Sequence, residues 1–165
     1  MKKLVITLSS VALLFVGAVT LSGCGGSGGS ASDKVINVYG CEPQNTLVPG
    51  NTNETCGGNI QYELFDGLVA YNKDGKAENQ VAESITPSDE NKVYDVKIKS
   101  GLTFDNGEPI TSDSFIKAWN YTAKSSSAQA NQSFFETIKG FDEVSKDNSK
   151  VEELSGLVKV SDSEF

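Results

Sequence analysis

Nine residues from Cys24 to Ser32, CGGSGGSAS, carry almost no side chain that can pack. Whatever this chain folds into must be built on one side of them. On the N-terminal side stand Lys2 and Lys3, an apolar run from Leu4 to Leu21, and the small residues Ser22 and Gly23. A basic start, a short apolar core and a small-residue exit describe an export signal over 1–23. The alternative is a retained membrane helix, since the run just reaches spanning length. Gly17, Thr20, Ser22 and Gly23 thin it where a span would end. The folded part is therefore expected from Asp33 onward.

Leu21-Ser22-Gly23-Cys24 looks like a bacterial lipobox, in which cleavage precedes the cysteine and the thiol receives a diacylglycerol. On that reading Cys24 is a lipid attachment point and 24–32 a tether of random-coil character. Two or more acyl chains hold a protein stably at a bilayer where one does not. The expected location is the extracytoplasmic face of the cell membrane.

Two cysteines remain, Cys41 and Cys56. In an oxidising compartment they are expected to form a disulfide, worth on the order of 3 kcal/mol for so short a loop. Two free thiols or a metal pair are the alternatives, although two cysteines without histidine make a poor zinc site. The whole sequence has no histidine, which removes the commonest general base and the Ser-His-Asp and Cys-His arrangements. No glycine loop of the phosphate-binding type is present. Asp105 and Glu108 read as solvated turn residues. Neither catalysis nor a cofactor or metal is expected. The net charge of −8 is poorly suited to nucleic acid.

Lys34–Gly40 reads as a short, mostly buried strand, followed by an unusually long loop, CEPQNTLVPGNTNETCGG. Ile60, Leu64, Phe65 and Leu68 stand at helical spacing, with Gly67 placed to close the helix. A strand then leads to a turn at Asn72–Gly75. In KVYDVKIKSGLTF, Tyr94, Val96 and Ile98 alternate with polar residues, as in a strand with one wet side. Thr111 or Ser112 is expected to cap a helix carrying Phe115, Ile116, Trp119 and Thr122 on one face. Trp119 reads as core, with ligand stacking as the alternative; Tyr39 suits a core or a cleft equally. Phe134, Phe135 and Ile138 suggest a short helix ending at Gly140. LVKVSDSEF looks like one strand and the start of another, with no closing signal, as expected of a fragment.

The stretch from Glu63 to Tyr121 resembles the N-terminal part of family 5 extracellular solute-binding proteins. The residues that carry the resemblance are Leu64–Leu68, Val81–Ser84, Tyr94–Ile98, the turn Phe104–Pro109 and the Thr-capped helix Thr111–Tyr121. Asn106 stands where the family usually has Asp before Gly107. The resemblance implies a mixed α/β (α+β) chain of the two-lobed, periplasmic-binding-protein-like fold of the large peptide-binding type, with only its N-terminal part present. It implies that 33–60 is the first strand and loop of lobe I, 61–156 an additional small domain, and 157–165 the start of return strands. It further implies a monomeric peptide receptor working with ABC permease and ATPase subunits. Alternatives are an oligosaccharide or metal chelate as ligand, or a surface lipoprotein acting as adhesin or sensor partner. The ligand-contacting positions it implies are Asn53, Glu54, Thr55, Ala130, Asn131 and Gln132.

Overall fold

A computed structural model describes residues 40–165. The expected export segment, Cys24, its expected tether and the strand expected from Lys34 lie outside the described residues, apart from Gly40.

Helix α1 spans Thr55–Leu64. Its N-cap is Glu54, whose carboxylate accepts from the N–H groups of Cys56 (2.7 Å) and Gly57 (2.8 Å). A Cβ on Gly57 would run into that carboxylate and into Thr52, so only glycine lets the cap close. The helix begins earlier and ends earlier than the apolar spacing predicts. Phe65 is already extended (φ −129°, ψ 126°), so Leu68 lies off the helix and Gly67 does not close it. The start is hidden in the sequence because Gly57 and Gly58 look like breakers inside the first turn.

Strands β1 (Val69–Tyr71) and β2 (Ala77–Asn79) form an antiparallel hairpin. Its turn is the expected one: Asn72 Oδ1 accepts from the N–H groups of Asp74 and Lys76. A second antiparallel pair joins β3 (Ala82–Ser88) to β4 (Val93–Ile98), with Ile85 opposite Val96 and Pro87 opposite Tyr94. Strand β4 follows its alternation only in part, since Val96 and Ile98 are buried but Tyr94 is exposed. Strand β3 has no counterpart in the sequence reading, because Pro87 demotes the segment. The far side of β4 pairs with the last residues: Val96 N–H donates to Phe165 O (2.8 Å) and Ile98 N–H to Ser163 O (2.9 Å). The two strands expected over 157–165 are thus a tight turn with single pairings at Ser161–Glu164 and Lys97–Glu164.

Helix α2 spans Ser112–Ala123 behind the N-cap Thr111. Ser114 Oγ accepts from the Thr111 N–H at 3.0 Å. Ser112, fully buried, ties α2 to the C-terminal turn by donating from its N–H to Asp162 O (2.8 Å) and from its Oγ to Ser161 O (2.5 Å). On the solvent side, Lys159 Nζ bridges Asp113 (3.0 Å) and Asp162 (2.7 Å). The hydrogen bond to Asp162 raises the Lys159 pKa and lowers that of the Asp162 carboxyl. The exposed pair is screened by solvent and adds little to stability.

The tightest packing lies at the C-terminal end of α2. Ala123, Val144 of the short helix α3 (Phe141–Val144) and Leu154 are buried, with Phe135, Ile138, Phe141 and Leu157 around them. Asn120, also buried, accepts the Leu154 N–H at 2.7 Å. The helix expected at 134–138 is instead a 3-10 turn, Gln132–Phe135, which leaves Phe134 exposed and turns Phe135 inward. Gly140 begins α3 rather than ending a helix.

Candidate ligand-binding site

The face of α2 expected to be core has a double role. Phe115 and Trp119 are half-buried and join an aromatic cluster with Phe135 and Phe165, ring centroids lying 5.8–6.3 Å apart. The same two rings also form a wall of an open cavity of about 700 Å³. Tyr62 of α1, Phe104, Tyr121 and Phe134 complete a mainly aromatic lining, and Thr52, Gln61 and Asn131 bring polar groups to it. A concave, aromatic site with a few fixed polar groups has the chemistry of a ligand pocket. The sequence placed Trp119 on this helix face correctly but could not show that the face is only half covered.

Residues 130–131 of the second nominated segment meet 49–52, the stretch just ahead of the nominated Asn53–Thr55, nearly 80 positions away. Asn131 donates from Nδ2 to Pro49 O and Thr52 O, both at 2.8 Å, and from its N–H to Gly50 O at 2.9 Å. The Ala130 N–H reaches Asn51 Oδ1 at 3.3 Å. Of the six nominated residues, only Asn131 lines the cavity. Asn53 is exposed and accepts from Asn45 Nδ2 at 3.1 Å. Thr55 is exposed at the start of α1. Gln132 is turned back onto Ala123 O at 2.9 Å. Glu54 is committed to three backbone N–H groups, those of Cys56, Gly57 and Gln44. Its carboxylate organises the rim and leaves little capacity to bind anything else.

Thr52 is the rim residue that the sequence did not single out. It is buried, donates from Oγ1 to Thr46 O (2.9 Å) and accepts from Gln61 Nε2 (2.6 Å). One threonine among several in a polar loop gives no signal of this. The expected disulfide is present: Cys41 and Cys56 are bonded, with Cα atoms 5.3 Å apart.

Asn131 Oδ1 and Gln129 Oε1 are buried without a hydrogen-bond partner among the described residues. The orientation of Asn131 is forced, because a flipped amide would point its oxygen at two carbonyls. An orphaned buried acceptor costs about 1–3 kcal/mol, and two net hydrogen bonds return a similar amount. Asn131→Ala is therefore expected to change global stability by about 1 kcal/mol or less while loosening residues 46–54. Hydrogen exchange of that segment, set beside a urea melt, checks both halves.

Comparison with known proteins agrees with this architecture. The family pattern described as "Bacterial extracellular solute-binding proteins, family 5 Middle" matches residues 76–160. The oligopeptide-binding protein OppA of Bacillus subtilis (strain 168) is 30% identical over 122 residues, covering 68% of this chain and 22% of that protein. Among solved structures, Haemophilus influenzae OppA in complex with the peptide RPPGFSPFR superposes with a TM-score of 0.70 at 26% identity, covering 76% of this chain and 25% of that one. Listeria monocytogenes OppA bound to peptide gives 0.66 at 26% identity, covering 72% and 23%. The fold is that of the large periplasmic binding proteins. The chain belongs to family 5 of the bacterial extracellular solute-binding proteins. It spans about a quarter or less of the length of these relatives.

Proposed function

We propose that this chain is part of a receptor that captures extracellular peptides and delivers them to an ABC permease, with ATP hydrolysis confined to partner subunits. The observation that carries the reading is the meeting of 49–52 with 130–131 beside an aromatic cavity, in a chain similar to peptide-bound relatives. A binder of many peptide sequences grips backbone N–H and C=O groups, and a rim of Asn, Thr and Gly backbone and short side chains supplies matching partners. Asn53, Thr55, Ala130 and Gln132 join Asn131 as rim contacts in this proposal; Glu54 contributes by holding the rim in place. Release and capture follow from closure of a second lobe, which ligand favours by touching both lobes. Cys24 serves as the lipid anchor that keeps the receptor at the outer face of the membrane. The chain itself makes and breaks no bond.

Trp119 is the only tryptophan of these 165 residues and lines the cavity, so the difference in emission between the protein and its Trp119→Phe variant reports on this face. Titration of the intact protein with a mixed-sequence peptide pool is expected to give a saturable emission change that the Trp119→Phe variant lacks. Saturation by oligosaccharides or metal chelates but not by peptides would replace the ligand class. No response to any of the three would count against a solute receptor.

A further inference from the structure

We propose that the Cys41–Cys56 bond is a releasable clamp on the rim of this site: a dithiol reductant opens it and frees residues 40–45, while the body of the fold stays intact. The proposal rests on the ligand-binding reading only for what the rim is for, not for the clamp itself.

Three observations point to it. The bond is within reach, since Cys41 is exposed and Cys56 is only half-buried in the first turn of α1. The body does not depend on it, because every buried apolar side chain among the described residues lies between Val81 and Leu154. Little else holds the segment that Cys41 anchors. Among the described residues, 40–45 make two hydrogen bonds to the rest, Gln44 N–H to Glu54 at 3.2 Å and Asn45 Nδ2 to Asn53 at 3.1 Å, both exposed. The neighbouring stretch 46–52 is fastened separately, through Asn131, Gln61 and the contacts of Thr52. Removing the clamp therefore divides the loop into a free part and a held part.

The chemistry is a two-electron exchange. A thiolate of the reductant attacks Sγ of Cys41, forming a mixed disulfide and expelling Cys56 as a thiolate, which takes a proton from water. The reductant's second thiolate then attacks its own sulfur in that mixed disulfide. Cys41 leaves as a thiolate and is protonated, and the reductant departs as a cyclic disulfide. Helix α1 keeps its start through all of this, because Glu54 caps it with its own carboxylate.

Hydrogen–deuterium exchange of the intact protein tests the clamp, comparing the oxidised form with the dithiothreitol-reduced, alkylated form. A variant carrying Cys41→Ser and Cys56→Ser serves as a second route to the open state. The Gln44 amide, the one backbone N–H of 40–45 with a hydrogen bond among the described residues, is expected to exchange about tenfold or more faster in both open forms, with 82–98 and 112–123 unchanged. Unchanged exchange at Gln44 would overturn the proposal, and so would loss of protection across the body. Exchange is read without ligand, so a failure to bind peptide would strike the functional reading and leave this result standing.

Discussion

Leu154→Ala is expected to lower stability by about 3 kcal/mol, within the range for emptying a buried leucine site. Leu154 is 1% exposed and packs against Val144 and Ala123, with Phe135, Ile138, Phe141 and Leu157 outside them. Its neighbours belong to α2, α3 and two irregular turns, and the backbone of residue 154 is itself fixed by Asn120. A site framed from so many directions collapses poorly around a void, and the cavity cost is felt in full. Urea unfolding followed by Trp119 fluorescence measures the effect. Val158, exposed on the same stretch, is the control: Val158→Ala should move the midpoint by no more than about 0.5 kcal/mol. Equal effects at the two positions would mean that the core has been misplaced.

Adding a single methyl group at Gly140 is expected to cost about as much. Gly140 has φ +92°, and a Cβ there would sit 2.6 Å from the Ser155 backbone nitrogen and 2.8 Å from its Oγ. The hydroxyl can rotate away, but the backbone cannot easily follow. The Gly156 N–H is bonded to Lys139 O at 2.8 Å, which holds the two segments together. The left-handed conformation costs about 1–2 kcal/mol for an L residue, and overpacking adds about 1–3. Gly75 separates the two contributions, since it has φ +73° with open space around it. Gly75→Ala should show the conformational cost alone, about 1–2 kcal/mol. Gly140→Ala should exceed it, and equal losses would show that Ser155 gives way.

The elements that were legible in the sequence are those whose pattern is local. Strand β4 announces itself by alternation, the Asn72–Gly75 turn by its residues, and α2 by a threonine cap ahead of an apolar face. What stayed hidden depends on partners far along the chain. The α1 start is set by a glutamate cap over two glycines, which local propensity reads as a break. Strand β3 carries a proline that its edge position tolerates. The C-terminal turn exists because Ser112 and β4 hold it, not because of its own pattern. At the site, the resemblance implies two separate ligand-contacting segments, and the fold joins Asn131 to residues 49–52, just ahead of the first of them. The individual roles were not readable. Glu54 stands among the ligand contacts that the resemblance implies, and only the fold shows three backbone N–H groups converging on its carboxylate. Trp119 looked like core because helical spacing gives a direction and says nothing about what covers that direction.

The central claim is that the rim formed by 46–55 and 129–132 is a wall of a peptide site. Photo-crosslinking tests it most directly, using the intact, oxidised protein and a peptide pool carrying a benzophenone residue, with adducts mapped by mass spectrometry. Adducts within 46–55 or 129–135 that disappear under excess unlabelled peptide are the predicted result. Saturable peptide binding with no adduct anywhere in 40–165, or no saturable labelling at all, would contradict it.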